Sequence, residues 1–377
     1  MIYFDNAATG GRKPDSVLTA LSATVKVCAN PGRSGHKLSL ACATQVQDCR
    51  HALNAFFKGY GFDRVVFTKN CTEALNIALL GTLRQGDHVI LSCMEHNSVL
   101  RPLERLKRLG VITYDVCPLR GNVKNGEAQI TAENVRALLK PNTRLVALTT
   151  ASNVNGSIPD IKKIKSVLPN DVLLLCDGAQ GGGHIVLDMQ QTGIDLLALA
   201  GHKGLMGIQG SGALLFSERV NPAPILFGGT GSLSLSLDMP DFYPDALEAG
   251  TLSFPAVLSL LEGIRYLSTH EKQIQSRLLM LTAYFLNGLK ELPSYTAYSK
   301  ANPCGIVAFS HHTLPSEEVA DLLSSKYDIA VRGGLHCAPL MHEALCTTEK
   351  GLVRVSFSHF NSEREIQCLL SALKALA

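Results

Sequence analysis

Lys203 has the most distinctive chemical setting in this sequence. It follows the apolar run Leu196–Ala200 and is surrounded by glycines in the stretch AGHKGLMGIQGSG. Burial at a packed strand end disfavours the ammonium form of a lysine, so the amine becomes neutral and nucleophilic. A neutral lysine amine condenses with aldehydes to form a Schiff base. A single lysine after a strand is more often a solvated surface residue, so its neighbours must decide between the two interpretations.

Polar residues also follow four other apolar runs. The carboxyl ends of parallel strands line one edge of a sheet, so we expect these residues to meet Lys203 there. They are Asn70-Cys71-Thr72 after VVFT, His96 after VILSCM, Asn153 after VALTTAS, and Asp177 and Gln180 after LLLC.

These residue types match the functional groups of pyridoxal phosphate. Lys203 would hold the aldehyde, and Asp177 would pair with the ring nitrogen and keep the ring electron-accepting. The start of a helix after Asn70 would offer backbone N–H groups to the phosphate. The other expected contacts are His96 on the ring face, with Gln180 and Asn153 at the phenolic oxygen. Each residue alone has an ordinary structural explanation, and only their combination favours a cofactor site.

Other kinds of ligand site have weaker support. No G-x-G-x-x-G motif follows the first predicted strand, and no G-x-x-x-x-G-K-[ST] motif is present. Cys337 and His342 are five residues apart without a second pair of ligands, so no metal site is expected.

The elements that must position these groups alternate along the chain. Continuous apolar runs are typical of strands buried on both faces, and their alternation with helical patterns predicts a mainly parallel α/β sheet. The runs are RVVFT (64–68), HVILS (88–92), RLVALTT (144–150), DVLLLC (171–176) and DLLALA (195–200), with helical patterns at 72–83 and 97–110. From about residue 255, a long helix, short strands around GIVAF and GLVRVSF, and a last helix EREIQCLLSALKAL predict a smaller α+β domain.

Composition narrows the class of protein. The 377 residues are 46% hydrophobic and carry a net charge of +3 without a basic block, so neither nucleic acid nor a membrane is an expected partner. The apolar runs are too short to span a bilayer, and the N-terminus lacks a signal-like apolar region. Eleven cysteines without a CxxC pair indicate reduced thiols and a cytoplasmic location.

Several motifs, spread over nearly the whole chain, resemble one family. They are YFDNAAT, TKNCTEALN, MEHNS, SNVNG, CDGAQ, AGHKGLMGIQGSGAL, EAGT and RGGLHCAPL. Together they resemble the class V aminotransferase fold family of pyridoxal-phosphate enzymes. Within it they are similar to the cysteine desulfurases and selenocysteine lyases of the short-loop, SufS-like branch.

This resemblance implies an architecture and an activity. The fold would be type I of the pyridoxal-phosphate transferases, with a mainly parallel, seven-stranded sheet in a large domain of residues 15–255. Residues 1–14 and 256–377 would form the small domain. The family acts as a homodimer with active sites at the subunit interface. Members convert L-cysteine or L-selenocysteine to L-alanine and pass the sulfur or selenium to an acceptor protein or a small thiol.

The resemblance also implies a role for each matching residue. Lys203, His96, Asp177, Gln180 and Asn153 would make the contacts given above. The resemblance also makes His96 a catalytic base and places Asn153 near the substrate. Phosphate contacts are implied for Cys71, Thr72 and His202, and for Thr251 of the other subunit. Arg354 would bind the substrate carboxylate, and His36 would lie near the substrate entrance.

Cys337 decides between activities. In the family, a loop cysteine attacks the substrate sulfur and becomes a persulfide, and Cys337 in RGGLHCAPL matches it, with Arg332 and His336 as neighbours that favour the thiolate. A transaminase, epimerase or β-lyase would need Lys203 and Asp177 but not Cys337, and a scaffold protein would need none of them. Two residues depart from the family pattern: Ala200 replaces a phosphate-contacting hydroxyl, and Leu335 replaces a polar residue.

Overall fold

The computed structural model describes the backbone of residues 1–377 and all side chains except that of Asn125. The strands are β1 (Ile2–Tyr3), β2 (Val65–Thr68), β3 (Asp87–Ser92), β4 (Ile112–Cys117), β5 (Thr143–Thr149), β6 (Leu173–Asp177), β7 (Leu196–Ala200), β8 (Gly212–Phe216), β9 (Tyr295–Ala297), β10 (Ile306–His311), β11 (Ile329–Ala330) and β12 (Val353–Ser356). The α-helices are α1 (Asp15–Lys26), α2 (Lys37–Phe56), α3 (Cys71–Thr82), α4 (Asn97–Arg108), α5 (Ala132–Ala137), α6 (Ile161–Lys165), α7 (Met189–Thr192), α8 (Phe254–Lys290), α9 (Ser316–Tyr327), α10 (Pro339–Leu345) and α11 (Glu363–Leu376).

The main sheet has the predicted character. Within the described chain it contains seven strands in the order β2-β8-β7-β6-β5-β3-β4. Strand β8 is antiparallel to both of its neighbours, and every other pairing in this sheet is parallel. The prediction of a mainly parallel α/β sheet is therefore confirmed. Strands β2, β3, β5, β6 and β7 all point the same way, so the residues that follow them lie at one edge.

The apolar strands separate two cores. Along β5, Val146 and Leu148 pack into one hydrophobic cluster, and Leu145 and Ala147 pack into a second cluster on the opposite face. Because side chains alternate between the faces of a strand, a strand covered on both faces is apolar at every position. This arrangement explains the uninterrupted apolar runs of the sequence.

Two helices begin at the edge of the sheet where the polar residues lie. Helix α3 starts after Asn70, whose Oδ1 accepts a hydrogen bond from the amide of Glu73 at 2.9 Å. Helix α4 starts after His96, whose Nδ1 accepts from the amide of Ser98 at 3.1 Å. The predicted helices at 72–83 and 97–110 are confirmed to within two residues at each end.

The C-terminal part of the chain forms a second layer. Strands β12, β10 and β9 form an antiparallel sheet, and β1 pairs in parallel with β11, so both ends of the chain belong to this layer. Helix α8 runs without interruption for 37 residues and packs against α1, α2 and α11. In the described chain, no helix is both long enough and apolar enough to cross a membrane.

Candidate active site

Asp177 is the buried acid at the centre of the edge. Its Oδ1 accepts hydrogen bonds from the amide of Ala179 at 2.9 Å and from Sγ of Cys71 at 3.4 Å. Burial and the adjacent carboxylate raise the pKa of the Cys71 thiol well above its usual range, so this thiol stays protonated and donates. Oδ1 is thus held by the protein, and Oδ2 remains available for an N–H of a ligand.

Lys203 lies three residues beyond the end of β7. Burial lowers the pKa of its amine, and the nearby carboxylate of Asp177 partly opposes that effect. The glycines around it make room for a tight loop: a Cβ on Gly204 would collide with the carbonyl oxygen of Gly182, and one on Gly201 would collide with Oγ of Ser211. The predicted neutral, nucleophilic amine is consistent with this setting.

His96 and Thr72 are joined through a residue that the sequence analysis missed. Oγ of Ser98 lies 2.9 Å from Nδ1 of His96 and 2.8 Å from Oγ1 of Thr72. Burial lowers the pKa of His96. Its imidazole therefore favours the neutral form, and its Nδ1 accepts from the Ser98 amide.

The predicted phosphate contacts lie on two segments. The side chain of Asn70 caps the amide of Glu73, which leaves the first two amides of α3, those of Cys71 and Thr72, for another acceptor. Nδ1 of His202 lies 3.1 Å from Oγ1 of Thr9, and burial lowers the pKa of this histidine to about 4. A neutral His202 can bond a phosphate with one N–H but does not neutralise its charge.

Gln180 and Asn153 each bridge the edge to the second layer. Nε2 of Gln180 donates to the carbonyl oxygen of Ala7 at 3.0 Å, and Nδ2 of Asn153 donates to the carbonyl oxygen of His336 at 2.7 Å. Both amide groups are buried. Each amide group carries a second N–H. This N–H is available for the phenolic oxygen of pyridoxal phosphate, the contact predicted from the sequence.

Arg354 on β12 is buried, with 1% of its surface exposed. Its Nη2 pairs with Oδ1 of Asp5 at 2.7 Å, and its Nη1 donates to the carbonyl oxygen of Asn153 at 3.0 Å. Nε is buried and has no partner among the described side chains. Asp5 lies in the motif YFDNAAT, where no role was expected for it, and the ion pair makes it the residue that orients this arginine.

Cys337 is an exposed residue on a loop that is held by backbone hydrogen bonds to neighbouring segments. Its carbonyl oxygen accepts from the amide of Asn97 at 2.7 Å, next to His96. The loop starts at Arg332, whose backbone forms an antiparallel bridge with Arg354. Nη2 of Arg332 is 4.0 Å from Sγ of Cys337, so a guanidinium faces the thiol. The loop therefore places a thiol and a cation at the edge that carries Lys203 and Asp177.

His336 differs from the sequence expectation. It is buried, with Nε2 3.3 Å from the carbonyl oxygen of Arg332 and Nδ1 3.4 Å from Nε2 of His342. Burial lowers its pKa to about 2, so the ring is neutral and cannot favour a thiolate through charge. Of the two predicted neighbours of Cys337, Arg332 is the one that supplies positive charge.

Two predicted site residues lie elsewhere on the surface. Thr251 is exposed and lines a surface cavity with Lys69 and Glu73. His36 is exposed and caps α2, where its Nδ1 accepts from the amide of Ser39 at 3.2 Å. Among the described residues, no hydrogen bond joins either side chain to Lys203 or Asp177, so their predicted roles stay predictions.

Glu95 is a second residue that the sequence analysis missed. It is fully buried directly before His96, and its Oε1 accepts from the amide of Thr149 at 2.8 Å and from the Ser92 hydroxyl. Burial raises its pKa to about 8, so it is a neutral acid at physiological pH. It fixes the end of β3 against β5 and thereby sets the starting point of α4.

Replacing Glu95 tests this protonation. The folded state keeps the proton that the unfolded chain loses near its ordinary pKa, so the free energy of unfolding falls as pH rises from about 4.5 to about 8. Glu95→Gln mimics the neutral acid. We expect it to match the wild type at pH 5 and to be more stable at pH 9, by up to roughly 5 kcal/mol, in urea unfolding. The exposed Glu291→Gln is the control, and parallel pH profiles for wild type and Glu95→Gln would refute a neutral Glu95.

Comparison with known proteins identifies the family. The profile of the family described as Aminotransferase class-V matches residues 2–369. The chain belongs to this family. A probable cysteine desulfurase of Methanothermobacter thermautotrophicus is 32% identical over 100% of this chain and 94% of its own length. A cysteine desulfurase of Salmonella choleraesuis is 31% identical over 99% of this chain and 92% of its own length. The apo structure of the cysteine desulfurase of Thermococcus onnurineus superposes with a TM-score of 0.88 at 29% identity. The superposition covers 100% of this chain and 94% of that one.

As a class-V aminotransferase family member, the chain belongs to a group of pyridoxal-phosphate enzymes with fold type I. The donor set fits that cofactor. A buried carboxylate keeps one oxygen for the ring nitrogen, and a lysine with a lowered pKa lies beside it. The first amides of α3 remain for the phosphate. The expected cofactor is therefore confirmed at the level of the family.

Proposed function

We propose that this protein is a cysteine desulfurase that converts L-cysteine to L-alanine and holds the sulfur as a persulfide on Cys337. The observation that carries the proposal is the position of Cys337: exposed, 4.0 Å from the guanidinium of Arg332, and on a loop tied to the edge that bears Lys203 and Asp177. The names of the full-length relatives support it.

When bound, pyridoxal phosphate supplies an aldehyde for the substrate amine and a ring that accepts electrons from the substrate carbons. We assign Lys203 to the aldehyde and Asp177 to the ring nitrogen. The remaining assignments are His96 to the ring face, Gln180 and Asn153 to the phenolic oxygen, and Cys71, Thr72 and His202 to the phosphate.

The chain's own groups then perform the transfer. Arg354 binds the substrate carboxylate, and Asp5 holds its guanidinium in place. Lys203, displaced as an amine, carries protons to and from the substrate carbons. The thiolate of Cys337 attacks the substrate sulfur: a bond forms between the two sulfurs, the carbon–sulfur bond breaks, and its electron pair stays on carbon. That carbon takes up a proton and leaves as alanine, with the sulfur left on Cys337.

One assay distinguishes this reaction from the other reactions of the family. The holoenzyme is incubated with L-cysteine and dithiothreitol, with and without a 2-oxo acid, and alanine, sulfide, pyruvate, ammonia and D-cysteine are measured. We expect alanine and sulfide in equal amounts. Pyruvate with ammonia would show a β-lyase, D-cysteine an epimerase, and dependence on an added 2-oxo acid a transaminase; each of these results would refute the desulfurase. L-Selenocysteine, tested next, compares selenol with thiol as the substrate.

We further propose that the protein acts as a homodimer in which Thr251 completes the partner's phosphate site. The support is an exposed apolar segment that includes Leu235 and Leu237, both fully exposed. This segment is joined to the Thr251 loop because the amide of Gly250 donates to the carbonyl oxygen of Gly229 at 2.9 Å. A second copy covering the segment would bring the two active sites to one interface.

The other proposals concern the surroundings of the reaction. Residues 15–255 would form the cofactor domain, with 1–14 and 256–377 as the small domain; the separate antiparallel sheet supports this division. We place His36 near the substrate entrance and the sulfur acceptor, a protein or a small thiol, at the exposed Cys337. All cysteines of the described chain are free, which supports a cytoplasmic location.

A further inference from the structure

Ser98 lies between the starts of two helices. It is the second residue of α4, and Thr72 is the second residue of α3. Its Oγ is within 2.9 Å of both Nδ1 of His96 and Oγ1 of Thr72. A continuous chain of hydrogen-bonding atoms therefore runs from the helix start assigned to the phosphate to the ring assigned to the cofactor face.

Two arrangements of the hydroxyl hydrogens make the contact between Thr72 and Ser98 a hydrogen bond. Each hydroxyl has one hydrogen to donate. In the first arrangement, Thr72 donates to Ser98 and Ser98 donates to Nδ1 of His96. In the second, Thr72 donates outward, Ser98 donates to Thr72, and a lone pair of Ser98 faces Nδ1. A phosphate that accepts the Thr72 hydrogen forces the second arrangement.

We propose that Ser98 is a positioning residue that couples the phosphate contact of Thr72 to the proton affinity of the His96 ring. The inference rests on the cofactor site of the proposed function. In the first arrangement the Ser98 hydrogen stabilises the neutral ring, and in the second the Ser98 lone pair stabilises the protonated ring. Phosphate binding thus raises the proton affinity of Nδ1 of His96.

Other charges act on His96 and must be held constant. The carboxylate of Asp177 raises the pKa of His96, and the cations Lys203, Arg332 and Arg354 lower it, as does burial. None of these groups is a partner in the Ser98 contacts. Removing the Ser98 hydroxyl therefore changes the coupling while the other charges stay in place, and the Ser98 amide still bonds Nδ1.

The test compares two ligands that differ only in the phosphate. Full-length protein with isotope-labelled histidine is saturated with pyridoxal phosphate or with pyridoxal, and the His96 ring is titrated by NMR. In the wild type we expect a higher pKa with pyridoxal phosphate than with pyridoxal. In Ser98→Ala this difference should be smaller by about half a unit, the size expected for one neutral hydrogen bond. Ser98→Thr retains a hydroxyl and should restore it.

Cofactor affinity gives a second measurement. The coupling is reciprocal, so in the wild type the preference for pyridoxal phosphate over pyridoxal should increase about 3-fold as pH falls through the pKa of His96, and in Ser98→Ala this increase should be smaller. In a Thr72→Val background, the same substitution should have no further effect. The control is Ser268→Ala, which removes a hydroxyl bonded to the Ile264 carbonyl within α8.

Two results would overturn the proposal. One is an equal phosphate-dependent pKa difference in wild type and Ser98→Ala, and the other is a preference for pyridoxal phosphate over pyridoxal whose pH dependence is the same in both proteins. Neither measurement requires turnover of L-cysteine. A protein that binds the cofactor but fails to release alanine would therefore refute the proposed function and leave this inference to be judged on its own results.

Discussion

Cys337→Ala is expected to lower alanine release from L-cysteine by roughly a thousand-fold or more, the size of loss seen when a nucleophile is removed. The reason is chemical: alanine forms only when the electron pair of the carbon–sulfur bond stays on carbon, which requires a nucleophile such as the Cys337 thiolate to take the sulfur. Cofactor content should be unchanged, because Cys337 is exposed and makes its tie to Asn97 through its backbone carbonyl. Alanine is measured by chromatography, and the persulfide by alkylation and mass spectrometry.

Cys346 is the matched control for this variant. Like Cys337 it is exposed and has a positive φ, but it ends helix α10. Cys346→Ala should retain wild-type alanine release and a persulfide on Cys337. Equal alanine from wild type and Cys337→Ala would exclude Cys337 as the nucleophile. Loss of both activity and cofactor in Cys337→Ala would indicate a structural role for the loop.

Lys203→Ala should eliminate covalent attachment of pyridoxal phosphate and lower alanine release by about a thousand-fold or more. Burial lowers the pKa of this amine, which favours its neutral, nucleophilic form. The holoenzyme is reduced with borohydride and digested, and the modified peptide is identified by mass spectrometry. Lys203→Arg should fail equally, because a guanidinium keeps the positive charge but does not condense with the aldehyde.

Lys69 supplies the matched control, because it also follows a strand of the main sheet but is exposed to solvent. Lys69→Ala should keep the cofactor attached to Lys203 and retain activity. Attachment that persists in Lys203→Ala would place the cofactor on another lysine. Lys13 would be the first to examine, since burial lowers its pKa to about 8 and its Nζ lies 2.9 Å from the carbonyl oxygen of His202.

The central strands were predictable because burial on both faces requires an apolar residue at nearly every position, which gives an uninterrupted apolar run. Strands β4 and β8 were missed for different reasons. Strand β4 is an edge strand, and its polar positions break the apolar run. Strand β8 follows a glycine-rich loop, which made GALLF look like part of that loop.

The site was predictable where a residue follows a strand and unpredictable where two distant segments meet. The order of the strands alone brings Asp177, Lys203 and His96 to one edge. The pairing of Asp5 with Arg354 spans 349 residues, and no local pattern reports it. Ser98 was missed because its role depends on how closely the starts of α3 and α4 approach, which the packing of the helices decides.

The backbone bridge between Arg332 and Arg354 also limits how this region can change in evolution. Surface loops ordinarily accept inserted and deleted residues. Here, only four residues lie between the bridged Arg332 and Cys337, and the carbonyl oxygen of Cys337 accepts a hydrogen bond from the amide of Asn97. One inserted residue adds up to about 3.5 Å of chain, enough to move the thiol away from the guanidinium of Arg332. The loop should therefore tolerate a substitution at the exposed Leu335 far better than a change of length.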